Sequence, residues 1–133
     1  MAEILVHELV HTLVFLDEIR HGHYDYPLIE KSENYSISSI LKIPRPVEKA
    51  FHSIIISIEL IKFRNLVSKN PNDYRVHPPT ATLLPQLIKS IASLQTLVER
   101  EPEILSSRAK HILKLCNQFV LKPHSTKEIT HAL

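Results

Sequence analysis

A helix drawn through residues 3–20 is apolar on nearly every side, and no other feature of the chain restricts its fold as much. On a helical wheel, Leu5, Val6, Leu9, Val10, Leu13 and Leu16 form one broad apolar face. Ile4, Phe15 and Ile19 add a second apolar strip. Only a ridge of His7, His11 and Glu18 stays polar, with Glu8 and Thr12 beside it. Such a helix has to be covered on nearly all sides. In a chain of 133 residues, one small bundle covers the broad face, and a protein partner or a second copy covers Ile4, Phe15 and Ile19.

The rest of the chain repeats the helical period. Residues 46–68 place Val47, Ala50, Phe51, Ile54, Ile55, Ile58 and Ile61 on one face, with Ile56, Leu60, Phe63 and Val67 behind. Glu48/His52 and Glu59/Lys62 stand at spacings that support a helix. A third helix starts at Thr80 or Thr82, carries Pro85 in its first turn, and presents Leu84, Leu87, Ile88, Ile91, Leu94 and Val98. A fourth spans 102–121 with Leu105, Ala109, Ile112, Leu113, Cys116, Phe119 and Val120 inward. Residues 36–42 read as a short serine-capped helix, and 23–35 and 69–82 as loops. The single Gly22 follows the first helix as a stop, and the nine prolines punctuate the apolar runs. The expected fold is all-α, a four- to five-helix bundle in one domain over 1–123, with a frayed tail at 124–133.

Composition removes several classes of function. One glycine argues against Gly-dependent phosphate loops, and the lone Cys116 excludes an internal disulfide and a cysteine-based zinc site. Cys116 reads as an inert core residue of the last helix. No apolar run reaches the ~18 residues that span a bilayer, and Met1-Ala2-Glu3 lacks the basic start of a signal peptide. The expectation is an intracellular protein with no membrane association, the nucleus ranking ahead of the cytoplasm. A formal charge of +2 is spread along the chain, so nucleic acid is expected to bind only indirectly or weakly. Lys62, Arg64 and Lys69 could touch phosphate but lack interleaved aromatics.

Three local patterns carry candidate chemistry. His7-Glu8-Leu9-Val10-His11 matches H-E-x-x-H, in which two histidines four apart on a helix share a zinc ion and the glutamate acts as base. A hydrolase needs a third ligand and a substrate cleft. Glu18 lies about two turns away, and Glu59 serves only if the fold brings it near. The expectation is therefore no catalysis, no cofactor and no resident metal, with His7 and His11 as weak metal candidates. The run Arg20-His21-Gly22-His23-Tyr24-Asp25-Tyr26 reads as cationic groups at a helix C-terminus, with a pH-sensitive or phosphate site as the rival. Tyr74-Arg75-Val76-His77-Pro78-Pro79 mixes types that are enriched at interaction sites, and a solvated linker is the equal alternative.

The order of helices and three stretches resemble the telomere-repeat-factor homology (TRFH) domain family of shelterin-type proteins. The stretches are His7-Glu8 followed by Arg20 through Tyr24-Asp25-Tyr26; the helix from Val47 to Val67, a long loop and Leu83-Leu84-Pro85-Gln86-Leu87; and Glu103 through Ser106-Ser107-Arg108-Ala109-Lys110. They span most of this chain and about the first half of that family's domain. The resemblance implies a dimerising, peptide-docking scaffold at chromosome ends, self-pairing partly through the first helix and docking peptides near residues 74–84.

The function expected from all of this is a non-catalytic protein–protein interaction module, a homodimer or a peptide-docking scaffold in a telomere or chromatin complex. Its binding residues are Ile4, Phe15, Ile19, Tyr74, Arg75, Val76, Leu83 and Leu84. The rivals are a metal-dependent hydrolase on His7-Glu8-x-x-His11 and a helical nucleic-acid-binding domain.

Overall fold

The structure, a computed structural model, describes residues 2–67 and 76–122. Its elements are α1 (Ala2–His21), α2 (Tyr26–Ile29), a 3-10 turn (Ser32–Asn34), β1 (Ser36–Ile37), β2 (Pro44–Arg45), α3 (Val47–Val67), α4 (Thr80–Arg100) and α5 (Ser107–Leu121). Four long helices with one small hairpin make this an all-α bundle. Residues 74 and 75 and the tail at 124–133 lie outside the described residues.

Helix α3 is the central element. Twelve of its 21 residues are buried, and α1, α4, α5 and both strands pack on it. Val47, Ala50, Phe51, Ile54 and Leu60 lose all solvent contact. They meet Leu83, Leu87, Ile91 and Leu94 of α4, and Ala109, Leu113 and Cys116 of α5. The isoleucine run has β propensity, but the 3.6-residue period places it against neighbours on three sides, and that burial decides for helix. Burial pushes the Cys116 thiol up to about 12, which leaves it a small apolar core group.

Helix boundaries follow local chemistry. Gly22, at φ 69°, ends α1, and its N–H donates to the Glu18 carbonyl at 2.7 Å. Ser106 caps α5 by accepting from the Ala109 N–H at 3.1 Å. That cap sets the start at Ser107 rather than at 102, because Ile104 and Leu105 are drawn into the core and Leu105 bridges to Tyr24. Pro85 is the sixth residue of α4, past its first turn, where its ring removes one N–H from the ladder. Asp25 caps α2, a helix that the reading of 23–35 as loop did not contain.

Residues 36–42 do not form the expected helix. They open a two-stranded antiparallel hairpin in which Ser36 pairs with Arg45 and Ile37 with Pro44. Serines from two helices provide the hydrogen bonds that a helix would have made internally. The Ser39 N–H donates to Ser53 Oγ at 3.0 Å, Ser39 Oγ donates to the Ser53 carbonyl at 2.8 Å, and the Ile37 N–H donates to Ser93 Oγ at 3.2 Å. Lys42 turns the chain at φ 61°, in the left-handed region.

The largest departure from expectation concerns which side of α1 faces inward. Leu5, Leu9, Leu13 and Leu16 of the broad apolar face are exposed, and only its Val6 and Val10 are covered. The inner side instead carries Glu3, His7, Val10, Val14 and Asp17, with His11 beside them. Arg64 explains the inversion. Its side chain is fully buried, so it is a core group and not a phosphate contact. Arg64 Nε donates to Glu3 Oε2 at 2.7 Å and Nη2 to Glu3 Oε1 at 2.9 Å. Nη1 reaches the Pro78 carbonyl at 2.7 Å. A buried guanidinium has to find a carboxylate, and only a helix turned this way presents one.

Removing one partner leaves a buried charge. Glu3→Ala is therefore expected to destabilise the fold by about 3–5 kcal/mol in urea unfolding, and Glu3→Leu combined with Arg64→Met by less than Glu3→Ala alone. A loss under about 1 kcal/mol for Glu3→Ala would remove the pair as the determinant of α1's orientation.

Candidate functional site

Because α1 is turned with its polar ridge inward, four imidazoles from three segments form a continuous file. His77 Nδ1 lies 3.1 Å from Glu3 Oε1, and His77 Nε2 lies 2.9 Å from His7 Nδ1. His7 Nε2 is 3.1 Å from His11 Nε2, and His11 Nδ1 is 2.9 Å from His52 Nδ1. The carboxylate end sets the polarity. Glu3, already held by Arg64, can only accept, so His77 carries its proton on Nδ1. His7 then donates from Nδ1 to His77, His11 from Nε2 to His7, and His52 from Nδ1 to His11. One neutral tautomer of each ring satisfies every link. A second proton on His77, His7 or His11 falls on the nitrogen that accepts and sets two N–H groups against each other, whereas His52 can take one on Nε2 without breaking a link.

The electrostatics agree with that count. Burial, then the charge of His11, with smaller effects from His23 and Lys49, pushes His52 down to about 4. Burial, then His11 and His77, lowers His7 also, partly opposed by Glu8. His7 and His52 are therefore uncharged near pH 7.

His7 Nε2 and His11 Nε2 stand 3.1 Å apart, the separation of two ligands on one metal ion. No third ligand joins them: among the described residues, no group of three or more His, Cys, Asp or Glu side chains is arranged to hold a metal. Glu8 is exposed, and Glu18 accepts a hydrogen bond from the Tyr26 hydroxyl instead. The ring nitrogens that a metal would use are partnered with one another.

The basic and aromatic run after α1 is built into the fold. His23 is buried and donates from Nε2 to Asp17 Oδ2 at 2.7 Å. Arg108 closes the same carboxylate with contacts of 2.7 Å and 3.1 Å, and together they hold Asp17 well below the usual carboxylate range, Arg108 contributing most. Among the expected interaction residues, Ile4 is 42%, Phe15 54% and Ile19 82% exposed. They are not enclosed by their own chain. Val76 is exposed too and Leu84 is half-buried against the core, but Leu83 lies wholly within the core and cannot offer the docking surface expected of it. Tyr74 and Arg75 lie outside the described residues.

The outer side of α1 gathers the exposed apolar residues. Leu5, Leu9, Leu16 and Ile19 follow a 4-3-4-3 spacing completed by Thr12, which is a heptad seam, and Leu13 widens it. His52, His77, Glu3 and Arg64 were not recognised as a cluster from sequence. The signal available was an acidic residue at the head of an otherwise greasy helix and a single arginine on an isoleucine-rich one.

In comparisons with protein-family models, curated proteins and solved structures, no match was found.

The file makes stability depend on pH. His52 and His7 have folded pKa values below the ordinary 6.5, so the unfolded chain takes up these protons more readily. Stability should be full above pH 6.5 and fall as pH drops from 6.5 towards about 4. Asp17 contributes separately, since its depressed pKa defers its loss to below 3.8. Urea unfolding from pH 7 to 4 should show a shallower slope in His52→Gln, and an unchanged slope would take His52 out of the account.

Proposed function

We propose that the chain is a non-catalytic interaction module that pairs with a second copy of itself through the outer face of α1. The observation that carries this reading is the exposure of Leu5 (65%), Leu9 (58%), Leu16 (57%) and Ile19 (82%) along one heptad seam. Large apolar side chains scattered singly need no explanation, but a contiguous stripe along a helix of 20 residues does. With Ile4, Leu13 and Phe15 alongside, the helix presents on the order of 500 Å² of apolar surface, and a pair would bury on the order of 1,000 Å². That reaches the lower bound of a specific interface. A 3.5-residue repeat is matched by a copy of itself, so a second identical helix is the simplest cover.

The imidazole file supports the same reading indirectly. It holds the polar side of α1 inward, which leaves the leucine side outward. The resemblance to TRFH domains adds the setting, a nuclear assembly at chromosome ends, and peptide docking as a second task; this part of the proposal rests on the resemblance. Among the described residues, no helix is long and apolar enough to cross a membrane.

Light scattering at high micromolar concentration should give twice the monomer mass. Leu9→Glu and Leu16→Glu, both at exposed positions, should weaken pairing at least about tenfold and leave helical content and melting unchanged. A strict monomer for the unaltered chain would overturn the proposal. The hydrolase rival is checked by metal analysis of protein purified without added zinc: one zinc per chain would favour it over the interaction module.

A further inference from the structure

We propose that the cleft between the second half of α1, α2 and the start of α3 binds a protonated alkylamine, with aromatic rings as its walls and the Glu48 carboxylate as its hydrogen-bond acceptor. The cleft has a volume of about 380 Å³, within the usual range for small ligands and ample for an amine head and its carbon chain. Three of the chain's four tyrosines and one of its four phenylalanines line it, although those residues come from three separate stretches of sequence. Phe15 and Tyr26 keep more than half of their surface open. Tyr24 stands edge-on to Tyr26, with centroids 6.2 Å apart and planes at 79°, so the two rings form adjoining walls at a right angle. Ring faces attract cations and accept methyl and methylene groups.

Charge selects the sign of the ligand. Glu18, Glu30 and Glu48 line the cleft against one ammonium, that of Lys49. The His52 imidazole adds little positive charge, since burial pushes it down to about 4. An anion would enter against a net negative lining, and a cation with it.

Two unsatisfied atoms at the same cleft select the ligand's hydrogen bonding. Tyr24 and Glu48 both line the cleft, and the Tyr24 hydroxyl and Glu48 Oε2 are buried, each without a partner. Buried polar atoms are nearly always paired, and an unpaired carboxylate oxygen is among the costlier exceptions. Both atoms accept hydrogen bonds. A protonated amine brings N–H donors, a positive charge and alkyl carbon together, which neither a neutral alcohol nor a bare metal ion does. Tyr26 donates to Glu18, so that carboxylate has a partner already; of the other two, Glu30 is exposed and Glu48 holds the buried oxygen without a partner. The assignment is separable from pairing through α1, because Leu5, Leu9, Leu16 and Ile19 take no part in the cleft and Phe15 alone borders both surfaces.

The chain has no tryptophan, so its tyrosine emission reports on this cleft directly. Titration with dimethylammonium chloride, against sodium chloride at equal ionic strength, should give a saturable change with a dissociation constant on the order of millimolar. Glu48→Gln should weaken binding about tenfold or more. Tyr24→Phe should weaken it several-fold while leaving melting unchanged or raised, since it removes an unsatisfied hydroxyl. Because Tyr24→Phe keeps the ring, it serves as the test if Glu48→Gln does not fold. Glu99→Gln, on the exposed side of α4, should bind as the unaltered chain does. Tetramethylammonium, which lacks an N–H, should bind more weakly than dimethylammonium. N-acetyl-lysine-N-methylamide separates the two sources of the amine: tighter binding than dimethylammonium assigns a lysine side chain presented by a protein, and weaker binding a free amine. The proposal is overturned by the absence of a saturable response beyond salt, or by unchanged affinity in both Glu48→Gln and Tyr24→Phe.

Discussion

A fully buried guanidinium governs this fold. Arg64 stands on the central helix with no solvent contact, and the ~20 kcal/mol idealised cost of dehydrating an ion makes a matched carboxylate obligatory. Glu3 supplies both oxygens, at 2.7 and 2.9 Å. The contact joins the first turn of α1 to the last of α3, and the Pro78 carbonyl and His77 bring the chain ahead of α4 to the same point. One charge therefore fixes the rotation of α1 about its axis, its direction along α3 and the entry of α4.

The rest follows from that rotation. With Glu3 inward, His7 and His11 lie beneath α1 and meet His77 and His52, and both ring nitrogens of His77, His7 and His11 find neighbours. Desolvation keeps His7 and His52 uncharged near neutrality, so these two rings do not repel each other there. The leucines on the opposite side are left in solvent. Burying them against α3 instead would have gained apolar contact but stranded Arg64, and the cost of an unpaired buried charge is the larger of the two. Phe15 falls between the two sides, packs against His52 at 5.0 Å and forms one wall of the cleft above α2.

Periodicity made most of the fold legible. The spacing of Val47, Ala50, Phe51, Ile54 and Ile58 gave α3 almost to the residue, and Gly22 marked the end of α1. Orientation was harder. Both sides of α1 carry a heptad-like series, Glu3-His7-Val10-Val14-Asp17 and Leu5-Leu9-Thr12-Leu16-Ile19, and hydrophobicity alone chooses the second for the core. The deciding partners lie 61 and 74 positions away, beyond any local pattern. The hairpin departs from the expected helix for a related reason: Ser36 and Ser39 suit a helix cap, and only serines on α4 and α3 hold Ser36 in a strand and Ser39 in the turn after it. Ile4, Phe15 and Ile19 were read as uncovered surface and are exposed, whereas Leu83 lacked any signal separating a docking residue from a core one. His7 and His11 were visible as a pair; that no third donor converges on them among the described residues is a property of the fold.

Thiol accessibility tests the orientation of α1 and its consequence together. The native Cys116 is buried with its thiol pushed up to about 12, so it stays silent to labelling near neutral pH. A cysteine placed at Leu16 should label rapidly in dilute protein and progressively more slowly as concentration rises, and one placed at Val14 should label slowly throughout. Rapid labelling at Val14 with slow labelling at Leu16 in dilute protein would contradict the account, because the leucines would then be the core and Arg64 could not be paired as described.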